Sequence, residues 1–190
     1  MNQTFVAIGA IIYVLGSFVY FRDTLKGDTK PNKISWALWA LISFVATAIG
    51  LLEGVGWAVL PVFMSGLGPA IILFVSFKNK NAYWKLGTLD WTCGILSLIS
   101  LVVWIITRDG ILALSLIIFT DVLASFPTLV KSWKYPETES GIAYLAWVIN
   151  AATAFFAANN YDFVNLAFPT YIVVMDGLLF IAAYRKKFNL

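Results

Sequence analysis

Residues 121–150 read DVLASFPTLVKSWKYPETESGIAYLAWVIN, which joins an apolar helix, a proline, a short charged turn and a second apolar helix. The stretch at residues 13–42, YVLGSFVYFRDTLKGDTKPNKISWALWALI, aligns with it without a gap after a shift of 108 positions. The coinciding identical residues are Val14 and Val122, Leu15 and Leu123, Ser17 and Ser125, Phe18 and Phe126, Lys26 and Lys134, Ile34 and Ile142, and Trp39 and Trp147. A register that continues unbroken through loops indicates an internal repeat.

Composition indicates a membrane protein. Of the 190 residues, 61% are hydrophobic and 12% are charged, whereas soluble domains are about half apolar and a quarter charged. The chain has no histidine and one cysteine, Cys93, which removes most metal and nucleophile chemistry. We therefore expect no metal, no cofactor and no catalytic residue, and hence no enzyme. The net charge of +3 is too small to imply a nucleic-acid partner.

Seven apolar runs are long enough to cross the roughly 30 Å hydrocarbon core of a bilayer. They lie near 5–21, 34–52, 57–77, 88–107, 111–130, 141–158 and 164–184. The fourth run has no counterpart under the shift. The predicted fold is therefore an all-α integral membrane protein with seven transmembrane helices, in which a linker helix joins two parallel three-helix repeats. The predicted units are 1–82 for the first repeat, 83–108 for the linker and 109–190 for the second repeat.

Basic residues predict the orientation. Twelve of the 13 lysines and arginines lie in alternate loops or after the last run, and only Arg108 falls on the other side. Positive charge accumulates on the cytoplasmic side of membrane proteins. We expect a multi-pass cell-membrane protein with its N-terminus outside and its C-terminus in the cytoplasm.

The segment SFPTLVKSWKYPETESGIAYLAW, residues 125–147, resembles the PQ-loop motif of the superfamily that includes the SWEET sugar transporters. Pro127 matches the proline of the motif and Thr128 stands in place of its glutamine, whereas Val19 and Tyr20 replace the pair in the first copy. The three-plus-one-plus-three layout of SWEETs covers almost the whole chain. The resemblance implies helix bending at Pro127 during alternating access. It does not imply one solute, because the superfamily handles sugars, amino acids, vitamins and peptide signals.

Two carboxylates are predicted at the same depth of the bilayer. Asp121 and Asp176 lie roughly 15–18 Å from the outer boundary by helical rise, and their equivalents in the first copy are Tyr13 and Gly68. Ionisable residues inside a span are functional candidates. The alternative is a neutral aspartic acid that only packs or donates one hydrogen bond.

Polar side chains also share one face of two predicted helices. The two sets are Asp121, Ser125, Thr128 and Ser132, and Tyr13, Ser17, Tyr20 and Thr24. Their spacing of three and four residues places each set along one side of its helix. These stripes favour a polar cavity, although small hydroxyl residues can instead serve close helix packing.

Aromatic residues and an amide complete the predicted binding site. Trp39 and Trp147 are related by the repeat, and Asn150 lies about 14 Å from the inner surface by helical rise. A flat ring and an amide suit a small polar ligand. The predicted substrate-binding residues are Tyr13, Trp39, Asp121, Trp147, Asn150 and Asp176. Trp36 lies nearer the helix end, where an interfacial anchor is the favoured interpretation.

The predicted function is a transporter or facilitator of a small polar solute, with proton coupling as one option. Pro127 is the predicted hinge, because proline removes a backbone donor within a helix. The alternative is a ligand receptor or trafficking module on the same fold. That alternative leads one to expect basic residues inside the cavity, yet every lysine and arginine falls in a loop or at a helix end. The expected partners are the solute and the lipid bilayer, and a homo-oligomer is left open.

Overall fold

The computed structural model describes residues 3–52, 60–106, 110–157, 161 and 163–187. Within these ranges the chain forms seven α-helices, which confirms the predicted all-α class. They are α1 (Gln3–Lys26), α2 (Lys33–Leu52), α3 (Leu60–Lys78), α4 (Thr88–Ile106), α5 (Gly110–Lys134), α6 (Gly141–Ala157) and α7 (Phe163–Tyr184). Short 3₁₀ turns at Lys80–Ala82 and Pro136–Thr138 follow α3 and α5.

Several helices suit a membrane by length and composition. Four segments are long and apolar enough to cross a bilayer: Ala7–Lys26, Thr88–Ile106, Leu114–Lys134 and Leu166–Tyr184. Three further apolar helical segments, Lys33–Ala48, Val62–Lys78 and Gly141–Phe156, are shorter. Large apolar side chains such as Trp91, Ile95 and Ile99 of α4 are more than half exposed. Such an extensive apolar surface is rare on soluble monomers and indicates a multi-pass membrane protein.

Helix contacts follow a regular pattern. Among the first three helices, α3 packs against both α1 and α2, and among the last three α7 packs against both α5 and α6. Between these groups, α1 packs against α6 and α2 against α5. Helix α4 packs against α2 and α5. Residues of α1, α2, α3, α5, α6 and α7 line the cavity described below.

Small residues allow the close approach of neighbouring helices. A Cβ atom added to Gly16 of α1 would lie 2.6 Å from the Ala146 Cβ of α6. In the same way, a Cβ atom on Gly66 of α3 would lie 2.7 Å from the Ser43 Cβ of α2. Without a hydrophobic force between helices in lipid, such close backbone packing supplies much of the attraction.

The ends of the helices near the basic loops are held by capping interactions. Gly27 ends α1 with a positive φ of 82°, a conformation in which a side chain would be strained. Asn32 caps α2, because its side-chain oxygen accepts hydrogen bonds from the Ile34 and Ser35 amides at 3.1 and 3.4 Å. The Asn32 amide also donates to Asp90 in the first turn of α4. The contacts of Asn32 tie α2 and α4 together at one end of the bundle.

Candidate functional site

A cavity of about 230 Å³ lies at mid-height of the bundle. The structure brings all six predicted substrate-binding residues to its wall. The lining residues are Tyr13, Trp36, Trp39, Ile42, Ser43, Ser65, Pro69, Asp121, Ser125, Trp147, Asn150, Phe168, Ile172, Met175 and Asp176. Both repeat halves predicted from the sequence therefore contribute to one space large enough for a small solute.

The two carboxylates come from α5 and α7 and interact electrostatically with each other. Asp121 is buried, and its Oδ2 accepts a hydrogen bond from the Tyr171 hydroxyl at 2.6 Å. The Tyr171 hydroxyl also lies 3.5 Å from the Ser125 Oγ. Asp176 is partly buried on the same cavity wall. Both aspartates thus line one cavity, and their shared depth in a bilayer stays a prediction.

In the first half of the chain, the positions equivalent to the two aspartates carry no charge. The Tyr13 hydroxyl donates a hydrogen bond to the Ser65 carbonyl at 3.3 Å. A Cβ atom on Gly68, the repeat equivalent of Asp176, would lie 3.5 Å from that hydroxyl. The first-half positions equivalent to the two aspartates are therefore a phenol and a glycine, and the cavity is chemically asymmetric.

Two tryptophans bridge the halves of the chain. The Trp39 Nε1 donates to the Ser125 Oγ at 3.2 Å, and the Trp147 Nε1 donates to the Ser17 Oγ at 3.2 Å. These two bonds are equivalent under the repeat, because the shift of 108 positions relates Trp39 to Trp147 and Ser17 to Ser125. The two serines of the predicted polar stripes thus position the two indoles rather than only permitting close packing.

Aromatic rings close the cavity on the side of the basic loops. Tyr20, Trp36 and Tyr144 have no exposed surface, and the Tyr20 and Trp36 ring centroids are 4.5 Å apart. Trp147 stacks on this cluster at 6.2 Å from Tyr20. The interpretation of Trp36 as an interfacial anchor is wrong, because the α1–α6 and α2–α5 contacts bring its ring into the middle of the bundle.

A buried glutamate lies directly beneath this aromatic closure. The Glu139 Oε2 accepts hydrogen bonds from the hydroxyls of Tyr20 and Tyr144 at 2.8 and 2.7 Å. Its Oε1 forms an ion pair with the buried Lys131. The ammonium of Lys131 also donates to the Lys30 carbonyl. The turn between α5 and α6 is therefore fastened to α1 through one carboxylate.

The predicted hinge, Pro127, lies inside α5, which continues through it to Lys134. Pro127 is buried but does not line the central cavity; it borders a separate depression near Trp84 and Lys131. Pro127 precedes Lys131 by one helical turn. A bend at this proline would therefore move the lysine that pairs with Glu139.

Several site residues went unnoticed in the sequence. Glu139 stands in the polar run PETES and Lys131 next to a loop, so nothing local indicates their burial. Phe168, Ile172 and Met175 of α7 could have been found, because their spacing of four and three residues places them on one helix face beside Asp176. Tyr171 has a similar spacing, three residues after Phe168 and four before Met175, but only the packing of α7 against α5 brings it to Asp121.

No protein-family model, curated protein or solved structure matches the chain.

Proposed function

We propose that the chain is a membrane transporter or facilitator of a small polar solute, such as a sugar, an amino acid or a vitamin, working by alternating access. The observation that carries the proposal is the cavity at mid-height of the bundle. Helices from both ends of the chain line it, two carboxylates and an asparagine face it, and buried aromatic rings close it at one end. Ionisable groups at this depth of a membrane are costly unless they face a cavity or a partner, and they commonly mark a substrate path.

The proposed architecture has seven spans, arranged as two parallel three-helix repeats with α4 as the linker. Helix contacts support it, because each contact of the first repeat has an equivalent in the second: α1–α3 and α5–α7, α2–α3 and α6–α7, α1–α6 and α5–α2. The paired tryptophan–serine hydrogen bonds obey the same relation. This layout is that of the PQ-loop superfamily, to which we assign the motif around Pro127 as part of the proposal.

In the proposed orientation, the aromatic closure and Glu139 lie on the cytoplasmic side. Solute release into the cell then requires Tyr20 and Tyr144 to separate from Glu139. A bend of α5 at Pro127 would provide this movement, because the lower part of α5 carries Lys131, the ionic partner of Glu139.

Uptake into reconstituted vesicles tests the proposal. A panel of labelled sugars, amino acids and vitamins is offered to vesicles that contain the parental protein, Asp121→Asn or Asp28→Asn. Asp28 is an exposed loop residue, so its amide variant controls for the loss of one negative charge. We expect saturable uptake of at least one solute, and a loss of about tenfold or more in Asp121→Asn, the size expected for a hydrogen bond to a charged group.

Saturable binding without uptake would instead support a receptor on the same fold. Parental uptake in Asp121→Asn would show that this carboxylate does not carry the mechanism. In that case the solute site would have to be sought around Trp39, Trp147 and Asn150.

A further inference from the structure

The charged residues that line the cavity are acidic. Among the described residues, the charged ones that line it are Asp121 and Asp176, with no lysine or arginine. The ion pairs formed within the described ranges involve Arg22, Lys131 and Lys186, and none includes either aspartate. A buried charge is costly unless a countercharge accompanies it. The described part of the wall supplies no countercharge, so a bound solute could.

The two carboxylates differ in how far the protein satisfies them. Asp121 accepts the Tyr171 hydroxyl at 2.6 Å. Among the residues that the structure describes, no group donates a hydrogen bond to Asp176. Asp176 nevertheless lies on the cavity wall and within electrostatic reach of Asp121. Asp176 is thus the acceptor left for a donor that enters the cavity.

Aromatic rings also line the cavity. Tyr13, Trp39 and Trp147 line the same space, and the Tyr13 and Trp147 ring centroids are 6.1 Å apart. The faces of aromatic rings attract cations, most strongly when water is excluded. Carboxylates and electron-rich rings around one cavity favour an ammonium or guanidinium group over a neutral hydroxyl. An anionic solute would be repelled from both.

We infer that the solute of this cavity is a small organic cation whose ammonium or guanidinium group binds between Asp176 and Asp121, against the rings of Trp39 and Trp147. The inference rests on the proposed function and narrows its solute class. Asn150, on the same wall, is available for the polar remainder of the molecule. The cavity of about 230 Å³ restricts the solute to roughly the size of choline or an amino acid.

Matched cation and neutral pairs test this inference. Calorimetry of the purified full-length protein compares choline with 3,3-dimethylbutan-1-ol, which replaces the quaternary nitrogen by carbon, and arginine with citrulline, which replaces the guanidinium by a urea. We expect the cation of at least one pair to bind about tenfold or more tightly than its neutral partner. The guanidinium of arginine can donate hydrogen bonds to a carboxylate, whereas the quaternary nitrogen of choline has no N–H and is attracted by the opposite charge and by the aromatic rings. Asp176→Asn should abolish this preference, and Asp28→Asn should keep it.

A second variant allows the test even if the first one misfolds. If Asp176→Asn does not purify as a folded protein, Asp121→Asn replaces it, because an amide can still accept the Tyr171 hydroxyl. Equal binding of the cation and neutral members, or no binding of either cation, would overturn the inference. Uptake of a neutral solute together with protons would also overturn it, since the carboxylates would then carry protons rather than the cargo.

Different results would contradict the transporter proposal and the cation-site inference. Vesicle uptake of a neutral sugar with no effect of choline or arginine would leave the transporter standing and remove the cation site. Cation binding that depends on Asp176, with no uptake into vesicles, would keep the cation site and remove the transporter.

Discussion

The indole of Trp39 donates a hydrogen bond to the hydroxyl of Ser125 at 3.2 Å. The repeat places Trp147 and Ser17 in the same relation, at the same distance. Each bond joins a helix of one half to a helix of the other. Together they join four of the helices that line the cavity, α2 to α5 and α1 to α6.

We expect Trp39→Phe and Trp147→Phe to reduce solute uptake by similar factors. Each variant keeps an aromatic ring but removes the N–H donor, and one hydrogen bond of about 1 kcal/mol corresponds to roughly fivefold. Trp91→Phe is the matched control, because Trp91 is exposed on the outer side of α4. Initial uptake rates in vesicles give the comparison. A large effect in one half and none in the other would contradict equivalent roles for the two bonds.

The buried ion pair of Lys131 and Glu139 should be costly to break. Glu139→Gln leaves the Lys131 ammonium without its countercharge, and breaking a buried pair costs about 3–5 kcal/mol. We expect the melting temperature in detergent to fall by at least about 6 °C. Glu137→Gln is the matched control two residues away, since its pair with Lys186 is exposed and exposed pairs contribute little.

A double variant tests whether the stability lost at this pair comes from the unpaired charge or from the change in side-chain shape. Glu139→Gln combined with Lys131→Met removes both charges, so part of the lost stability should return. A melting temperature for Glu139→Gln equal to that of Glu137→Gln would show that the pair does not fasten the turn to α1.

An added methyl group at Gly16 should destabilise the packing of α1 against α6. The Cβ of Gly16→Ala would lie 2.6 Å from the Ala146 Cβ, and overpacking of this kind costs about 1–3 kcal/mol. Gly177→Ala is the control, because nothing lies within 4 Å of its added Cβ. Both variants gain the same helix propensity over glycine, so the difference in melting temperature isolates the clash. Equal melting temperatures would refute the close contact.

Orientation can be read by cysteine labelling in a Cys93→Ala background. Lys134 is exposed at the end of α5 near the basic loops, and Tyr161 is exposed between α6 and α7. With the N-terminus outside, an impermeant reagent should label Tyr161→Cys in intact cells and Lys134→Cys only after permeabilisation. Labelling in the reverse order would invert the proposed topology.

Hydropathy and periodicity sufficed for much of the fold. The seven apolar runs match the seven described helices to within one or two turns, because a helix in lipid must satisfy its backbone internally and therefore needs a continuous apolar segment. The shift of 108 positions also anticipated which residues share a depth. Asp121 and Tyr13 are related by that shift, and both line the cavity.

Tertiary packing decided the remaining features of the site. The hydrogen-bond partners of Trp39, Trp147 and Asp121 are 50 to 130 residues away in the chain, so no local pattern names them. For Trp36 and Glu139, the neighbouring sequence predicts the wrong surroundings. Their neighbours in sequence suggest a membrane interface and a solvated turn, yet helix crossings bury one and the Lys131 ammonium balances the charge of the other. Apolar periodicity reports which residues avoid water, whereas the choice of partner for a buried polar group depends on which helix faces it.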